Sequence, residues 1–345
     1  MKALIWNKDK TIEFIEKNKP QIINETDAII KVTYSSICTS DLHIIEGFVP
    51  KAKENTVLGH ELVGIVEEIG SSVKKFKKGD RVSVNCESFC GECFFCKRGY
   101  VNNCENGGWL IGCSIDGAQA EFVRIPYADN ALNKIPDNVS FKDALFVGDI
   151  LASAYWGAEL CEIDNEDTVA VIGAGPVGLL ALKCLKCFNP KKIISIDINE
   201  NRLNIAKKEG LADYCINPLK ADIQKEILNL TSNRGADKVI ECAGSNATFE
   251  MAWKIARPCA IVAVVAMYGK AQELPLPKMY GKNLTFKTGG VDAVHCEKLV
   301  KMIEEKKIST DFLITHKFKL SNIIEAYRLF EKKPQGCLKI SIEFD

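Results

Sequence analysis

The sequence lacks an excess of charge of either sign, because 45 lysines and arginines are balanced by 45 aspartates and glutamates. A nucleic-acid-binding protein needs a basic face to neutralise phosphates, so this balance argues against that class. The sequence also lacks an apolar run that could cross a bilayer, since the longest run without glycine or proline lies near residues 260–268. We therefore expect no nucleic-acid partner and no membrane-spanning segment.

A recognisable export signal is missing as well, because charge begins at Lys2 and Lys8. We therefore expect a cytoplasmic protein in a reducing compartment. Fifteen cysteines are an odd number and cannot all pair with one another. In such a compartment, thiols indicate metal binding and buried core positions and not disulfides.

The chain is long for one hydrophobic core, and its 345 residues predict two domains. Apolar and polar residues alternate with period two in residues 2–6, 11–16, 28–34, 61–69 and 80–84, which is typical of β-strands. The first part of the chain is therefore predicted to be β-rich, as a small distorted barrel that carries metal-binding residues on its loops.

Four cysteines are closely spaced in a segment rich in turn-forming residues. They are Cys90, Cys93, Cys96 and Cys104. Four thiolates at this spacing predict a tetrahedral zinc site, and because all four ligands come from the protein its role is structural. The alternative, a cluster of core cysteines, is disfavoured because turn residues such as Gly91 surround them.

A second candidate metal site combines two distant stretches. In the first stretch Cys38 is followed by Ser40 and His43, and in the second His60 is followed by Glu61. A neutral imidazole and a thiolate are both good zinc ligands, so we interpret Cys38 and His60 as two ligands of one catalytic zinc. The alternative for His60 is a hydrogen-bonded histidine of the core.

A dinucleotide-binding fingerprint begins after the β-branched run at residues 168–172 and precedes a predicted helix. In this pattern the glycine turn lets the backbone approach a pyrophosphate at the helix N-terminus. The residues of the turn expected to bind the coenzyme are Gly173, Gly175, Pro176, Val177 and Gly178. Asp197 ends the next predicted strand, where a carboxylate accepts hydrogen bonds from the adenine ribose and repels a 2′-phosphate, which favours NAD over NADP. The alternative for Asp197 is an acid on a surface turn.

Predicted strands and helices then alternate as far as residue 287, which indicates a doubly wound parallel sheet. Beyond residue 287 the pattern changes, with predicted helices at 296–306 and 322–330 and a final strand at 338–343. We expect this last part of the chain to return to the first domain.

The residues from 59 to 73, with the stretch that begins at Cys38, resemble the zinc signature of the zinc-dependent medium-chain alcohol dehydrogenase family. The resemblance extends over essentially the whole chain. It implies an α/β fold with a GroES-like catalytic domain at residues 1–152, whose structural-zinc lobe spans about residues 88–106. It also implies a Rossmann NAD-binding domain at 153–286 and a C-terminal return to the catalytic domain at 287–345.

The resemblance further implies a third ligand of the catalytic zinc at Asp149, where many members have cysteine. An aspartate there resembles the branch with bacterial secondary-alcohol and formaldehyde-dehydrogenase-like enzymes. Carboxylate oxygen is an accepted zinc ligand. Without the resemblance, Asp149 would be interpreted as a helix N-cap.

Further roles are implied by position in the family motif. Ser40 would take the hydroxyl proton, His43 would carry it to solvent, and Glu61 would orient a ligand or bind the metal transiently. Trp109 matches an aromatic residue of the substrate pocket, and Lys339 is a weaker candidate for contact with the coenzyme. The alternatives are a packed surface histidine for His43 and core packing for Trp109.

The expected function is therefore reversible oxidation of a small secondary or primary alcohol, with hydride transfer to NAD and two zinc ions per chain. The alternatives are a polyol or formaldehyde-type dehydrogenase and, in another class, an inactive structural or zinc-holding protein. The resemblance also implies a homodimer or homotetramer and places the strand at residues 260–266 at a sheet edge that pairs across a dimer.

Overall fold

The strands and helices are taken from a computed structural model that describes residues 1–332 and 334–344. Within those residues the strands are β1 Lys2–Trp6, β2 Ile12–Glu16, β3 Ala28–Ser36, β4 Leu62–Ile69, β5 Arg81–Val84, β6 Phe122–Ile125, β7 Leu132–Lys134, β8 Thr168–Ile172, β9 Lys192–Ile196, β10 Tyr214–Ile216, β11 Ala236–Glu241, β12 Ala256–Val264, β13 Thr285–Thr288, β14 Ile314–Lys319 and β15 Lys339–Glu343. The α-helices are α1 Thr39–Ile45, α2 Ala128–Ala131, α3 Phe141–Ala144, α4 Ala152–Leu160, α5 Pro176–Leu185, α6 Glu200–Lys208, α7 Ile223–Leu230, α8 Asn246–Ile255, α9 Leu276–Met279, α10 Cys296–Glu304 and α11 Ile323–Lys332.

The chain forms two compact units, the first of which is built from two separate parts of the sequence. It contains Met1–Ala152 and Val291–Asp345, and the second unit contains Ser153–Gly290. The second unit therefore ends four residues beyond the expected boundary at residue 286.

The first unit contains a seven-stranded sheet with the order β14-β15-β3-β4-β5-β7, in which β6 also pairs with β3. A separate antiparallel hairpin joins β1 and β2. The alternating residues of these strands bury one face, and that face forms a core with members such as Ile30, Val66, Val82 and Val123. The β-rich fold predicted for this part of the chain is confirmed.

The register of β3 and β4 determines which loops meet. The two strands are antiparallel, and Ser35 lies opposite Leu62. The carboxyl end of β3 is therefore adjacent to the amino end of β4, so Cys38, just after β3, and His60, just before β4, emerge side by side. Gly59 precedes His60 with φ +94°, a conformation that side chains other than glycine rarely adopt.

The second unit contains a six-stranded parallel sheet with the order β10-β9-β8-β11-β12-β13. Numbered from its own first strand, this is the order 3-2-1-4-5-6 of a doubly wound sheet, with the switch point between β8 and β11. The predicted Rossmann architecture is confirmed.

One expectation about this sheet is wrong. The apolar strand at residues 260–266 was expected at the sheet edge, but β12 lies between β11 and β13, and β13 forms that edge. The physical reason lies in the burial of β12: both faces of an interior strand are covered, so residues 260–264 are buried without alternation.

No helix among residues 1–332 and 334–344 is long and apolar enough to cross a membrane. In the same residues no two cysteines form a disulfide.

Candidate metal centres and coenzyme turn

The structure brings Cys38, His60 and Asp149 together. Their ligand atoms all lie within 4.8 Å of one another. The Oδ2 atom of Asp149 is 3.2 Å from His60 Nε2 and 3.8 Å from Cys38 Sγ. One sulfur, one nitrogen and one oxygen donor suit zinc, and three protein ligands leave a fourth tetrahedral position for a substrate.

Asp149 lies inside a π-helical turn at Val147–Leu151, whose first flanking residue is Phe146. The structure therefore does not support the alternative interpretation of Asp149 as a helix N-cap. Single π-helical turns are frequent at functional sites, because the extra residue turns a side chain away from the helical register. Here the turn directs the Asp149 carboxylate towards His60.

Asp41 holds the two other candidate ligands in place. Its Oδ2 atom accepts hydrogen bonds from the backbone N–H of Cys38 at 2.9 Å and from the side-chain amide of Gln119 at 3.2 Å. Its Oδ1 atom lies 3.3 Å from His60 Nδ1. The carbonyl oxygen of Gln119 in turn accepts a hydrogen bond from the Tyr327 hydroxyl at 2.8 Å. A carboxylate at Nδ1 fixes the tautomer that leaves Nε2 able to bind a metal.

The electrostatics of His60 reflect this acidic surrounding. Burial disfavours its charged form, but the carboxylates of Asp41 and Asp149 outweigh burial and raise the pKa of His60 well above its ordinary value. The same carboxylates would attract a metal cation. The donor set and the charge are therefore both suited to zinc.

Glu61 does not have an exposed carboxylate. It forms a buried ion pair with Lys339, whose ammonium also donates to the Ile37 carbonyl at 3.0 Å. Burial raises the pKa of Glu61 to about 6 although Lys339 opposes the shift. The structure thus places the Lys339 ammonium in contact with the Glu61 carboxylate and the Ile37 carbonyl, and Glu61 is the residue that follows the proposed ligand His60.

Ser40 and His43 share one face of the short helix α1, since they are three residues apart. Ser40 Oγ lies 3.7 Å from Cys38 Sγ, beside the three-residue cluster. The His43 ring packs edge-on against Phe48 with a centroid distance of 6.1 Å. This placement is compatible with the proton path implied by the family motif.

Trp109 lies against the cluster and also against the core. Its indole is 5.5 Å from the His60 imidazole in an edge-to-face arrangement. The same side chain packs against the hydrophobic core that contains Leu58 and Tyr327. Trp109 therefore contacts a proposed zinc ligand as well as the core, and its role in a substrate pocket stays a prediction.

The four predicted thiolates also converge. Ligand atoms of Cys90, Cys93, Cys96 and Cys104 lie within 4.8 Å of one another. The sulfur of Cys90 is 3.6 Å from that of Cys104 and 4.0 Å from that of Cys96. A tetrahedron with zinc–sulfur bonds of about 2.3 Å has sulfur–sulfur edges of about 3.8 Å. The spacing of these thiols therefore fits a structural zinc ion.

Backbone N–H groups support the ionised form of one of these thiols. Hydrogen bonds from the backbone of Cys96 and Glu105 lower the pKa of Cys93 to about 6. The nearby Arg98 guanidinium lies 3.7 Å from the centre of the Phe94 ring and donates a hydrogen bond to the Phe94 carbonyl.

The glycine turn after β8 leads directly into α5. At Gly178 a Cβ atom would lie 1.7 Å from the carbonyl oxygen of Gly173, so only glycine permits this close approach. Asp197 is 8% exposed and accepts backbone N–H groups on both oxygens, from Ala174 at 2.6 Å and Asn199 at 2.7 Å. The carboxylate therefore ties the end of β9 to the glycine turn. It is not an acid on a free surface turn.

Glu241 was missed by sequence reasoning. It ends β11, across the switch point from β8, and is fully buried. Its carboxylate accepts hydrogen bonds from the backbone of Ala243 and Gly244 and from the Tyr268 hydroxyl at 2.6 Å. A charged residue at the end of an apolar run was the available signal.

Comparison with known proteins gives two family matches. The Alcohol dehydrogenase GroES-like domain matches residues 24–137, and the Zinc-binding dehydrogenase family matches residues 176–304. An alcohol dehydrogenase of Cupriavidus necator is 34% identical over 370 residues, covering 99% of this chain and 98% of that protein. An NADP-dependent isopropanol dehydrogenase of Thermoanaerobacter brockii is 34% identical over 340 residues, covering 95% of both. Zinc dependent alcohol dehydrogenase 2 from Streptococcus pneumonia superposes with a TM-score of 0.94 at 41% identity, covering 100% of this chain and 99% of that one.

Proposed function

This chain belongs to the zinc-dependent medium-chain alcohol dehydrogenase family, and on that premise we propose that it interconverts a small secondary or primary alcohol with its carbonyl compound, using NAD and two zinc ions per chain. The observation that carries the proposal is the convergence of Cys38, His60 and Asp149. An inactive or purely zinc-holding protein has no need for three ligands with one open position.

Each residue of the site has a separate role in the proposed reaction. Cys38, His60 and Asp149 would hold the catalytic zinc, which supplies Lewis-acid polarisation of the alcohol oxygen, since zinc lowers the pKa of bound water from about 16 to about 7. Asp41 orients His60 through Nδ1. Ser40 takes the proton of the alcohol hydroxyl and His43 carries it to solvent, while bound NAD would supply the hydride acceptor.

NAD is the proposed coenzyme because of Asp197. Its carboxylate is fixed at the end of β9 by two backbone N–H groups, where the adenine ribose of a dinucleotide lies in this type of fold. A negative charge there disfavours a 2′-phosphate. The isopropanol dehydrogenase from Thermoanaerobacter brockii is NADP-dependent by name, so coenzyme choice varies among relatives of this chain.

The lobe with Cys90, Cys93, Cys96 and Cys104 is proposed to hold the second, structural zinc. The homodimer or homotetramer, the cytoplasmic setting and the branch with an aspartate ligand stay predictions.

The direct experiment is an assay of the purified protein with propan-2-ol or ethanol, followed at the nicotinamide absorbance with NAD and NADP compared. The proposal expects reduced nicotinamide to form with NAD. Absence of turnover with every simple alcohol and carbonyl compound in a protein that contains two zinc ions would refute it.

A further inference from the structure

One oxygen of a buried carboxyl group beside the proposed catalytic cluster makes no hydrogen bond within the described part of the chain. Glu87 is 5% exposed, and its Oε2 atom has no hydrogen-bond partner among the described residues. A buried polar atom without a partner costs about 1–3 kcal/mol, so native structures rarely retain one without a function. Neither the fold nor the proposed chemistry uses this group.

The backbone places Glu87 next to the cluster. The preceding residue, Cys86, donates its backbone N–H to the carbonyl of Gly148 at 2.9 Å, and Gly148 directly precedes the proposed ligand Asp149. The Glu87 segment therefore leaves β5 along the π-helical turn that carries Asp149.

On its other side Glu87 adjoins Trp109. Ser88 and Gly108 exchange two backbone hydrogen bonds of 3.0 and 2.7 Å. A Cβ atom built on Gly108 would lie 3.7 Å from Glu87 Oε2. The next residue is Trp109, whose ring contacts His60 and whose Nε1 atom is also buried without a partner among the described residues. Two unsatisfied polar groups thus lie beside the same proposed ligands.

The chemistry of the two groups is complementary to a hydroxyl. The indole N–H can only donate, and a carboxyl accepts a hydrogen bond from a hydroxyl in either protonation state. Burial raises the pKa of Glu87 to about 8, against the opposing effect of the exposed Lys51, whose Nζ lies 5.6 Å from the centre of the Trp109 ring. A simple alcohol has one hydroxyl, which reacts at the cluster, and would leave both groups unpaired.

We propose that Glu87 and Trp109 form a second polar subsite, which selects an alcohol that carries a further hydroxyl a few bonds from the reacting carbon. The inference rests on the proposed function and narrows its substrate class to diols and hydroxy-carbonyl compounds. The indole N–H of Trp109 donates a hydrogen bond to the oxygen of that second hydroxyl. The same hydroxyl donates a hydrogen bond to the Glu87 carboxyl group.

The test compares kcat/KM for matched pairs, butan-2-ol with butane-2,3-diol and propan-2-ol with propane-1,2-diol. Sites built to bind a hydroxyl reject analogues that lack it, so the native protein should prefer each diol by at least about ten-fold. Glu87→Leu should reduce that ratio at least about ten-fold, and Glu87→Gln, which keeps an acceptor, should retain most of it. Glu54→Leu, on the exposed surface, should leave the ratio unchanged.

Three results would overturn the subsite. They are a ratio near one in the native protein, an equal loss for both substrates in Glu87→Leu, or a preference for 1-aminopropan-2-ol over propane-1,2-diol, which would indicate a cationic substrate. If Glu87→Leu does not fold, Trp109→Phe tests the same point, because it removes the N–H donor while it keeps an aromatic ring, and it should also lower the ratio. Oxidation of butan-2-ol without a diol preference would refute this inference alone, whereas no oxidation of any alcohol would refute the proposed function.

Discussion

Asp41 faces His60 across 3.3 Å from Oδ1 to Nδ1, while the other ring nitrogen of His60 is directed at Asp149. The imidazole is thus held between two carboxylates, one that orients it and one that shares its proposed metal. The same Asp41 carboxylate accepts the Cys38 backbone N–H. One side chain therefore sets the position of two of the three proposed ligands.

Asp41→Asn is predicted to weaken zinc binding at the catalytic site by about 10- to 100-fold, because an amide orients the imidazole less firmly than a carboxylate does. Competition with a chelator of known zinc affinity measures this change. Asp9→Asn in an exposed loop is the matched control and should not change the affinity. Unchanged affinity in Asp41→Asn would contradict the role given to this residue.

Cys96→Ser is predicted to lower the zinc content from about two ions per chain to about one. The protein should also melt at a lower temperature, because zinc bound only by the folded lobe stabilises it. Elemental analysis and thermal unfolding measure both effects, with Cys259→Ser, an exposed thiol, as control. A zinc content that stays at two would mean that the lobe holds no metal.

Asp197→Asn is predicted to lower the kcat/KM preference for NAD over NADP by at least about ten-fold, because the substitution keeps the side-chain shape and removes the charge that repels a 2′-phosphate. Steady-state kinetics with both coenzymes measures the ratio. Asp222→Asn exchanges one good helix N-cap for another on α7 and serves as control. A ratio that does not move in Asp197→Asn would show that coenzyme choice lies elsewhere.

Lys339→Met is predicted to destabilise the fold by about 3–5 kcal/mol, because it leaves the Glu61 carboxylate buried without its ion-pair partner. Glu61→Gln combined with Lys339→Met should recover much of that loss, since neither charge remains. Denaturant unfolding measures the change, and Lys31→Met on the exposed face of β3 is the control. Equal stability of the native protein and Lys339→Met would contradict the account of this pair.

The sequence predicts most of the elements because their signals are local. Alternation over β1 to β5 and the glycine turn before α5 need no knowledge of the rest of the chain. The predicted edge position of β12 was wrong because strand order depends on which strands pair. An apolar run indicates that both faces of a strand are buried, but it does not indicate which strands lie beside it. The branch with an aspartate ligand came from the resemblance, since Asp149 alone is also typical of a helix cap.

The parts of the site that sequence reasoning missed are partners that fold in from elsewhere. Asp41 stands in the Cys38 stretch, but its contact with His60 depends on the pairing of β3 with β4. Gln119 and Tyr327 lie far apart in sequence, and only the fold brings them together, where the Tyr327 hydroxyl donates a hydrogen bond to Gln119. Glu87 is an isolated acid before the four cysteines, and only the fold shows that its Oε2 atom is buried without a hydrogen-bond partner among the residues described.

The central claim is that Cys38, His60 and Asp149 hold one zinc ion on which turnover depends. Zinc analysis and turnover of Cys38→Ser, measured on the same preparation, test it most directly. The account predicts loss of about one zinc ion per chain, with the structural zinc retained, and a fall in turnover of at least about 100-fold. A Cys38→Ser protein that keeps both zinc ions and full turnover would contradict it.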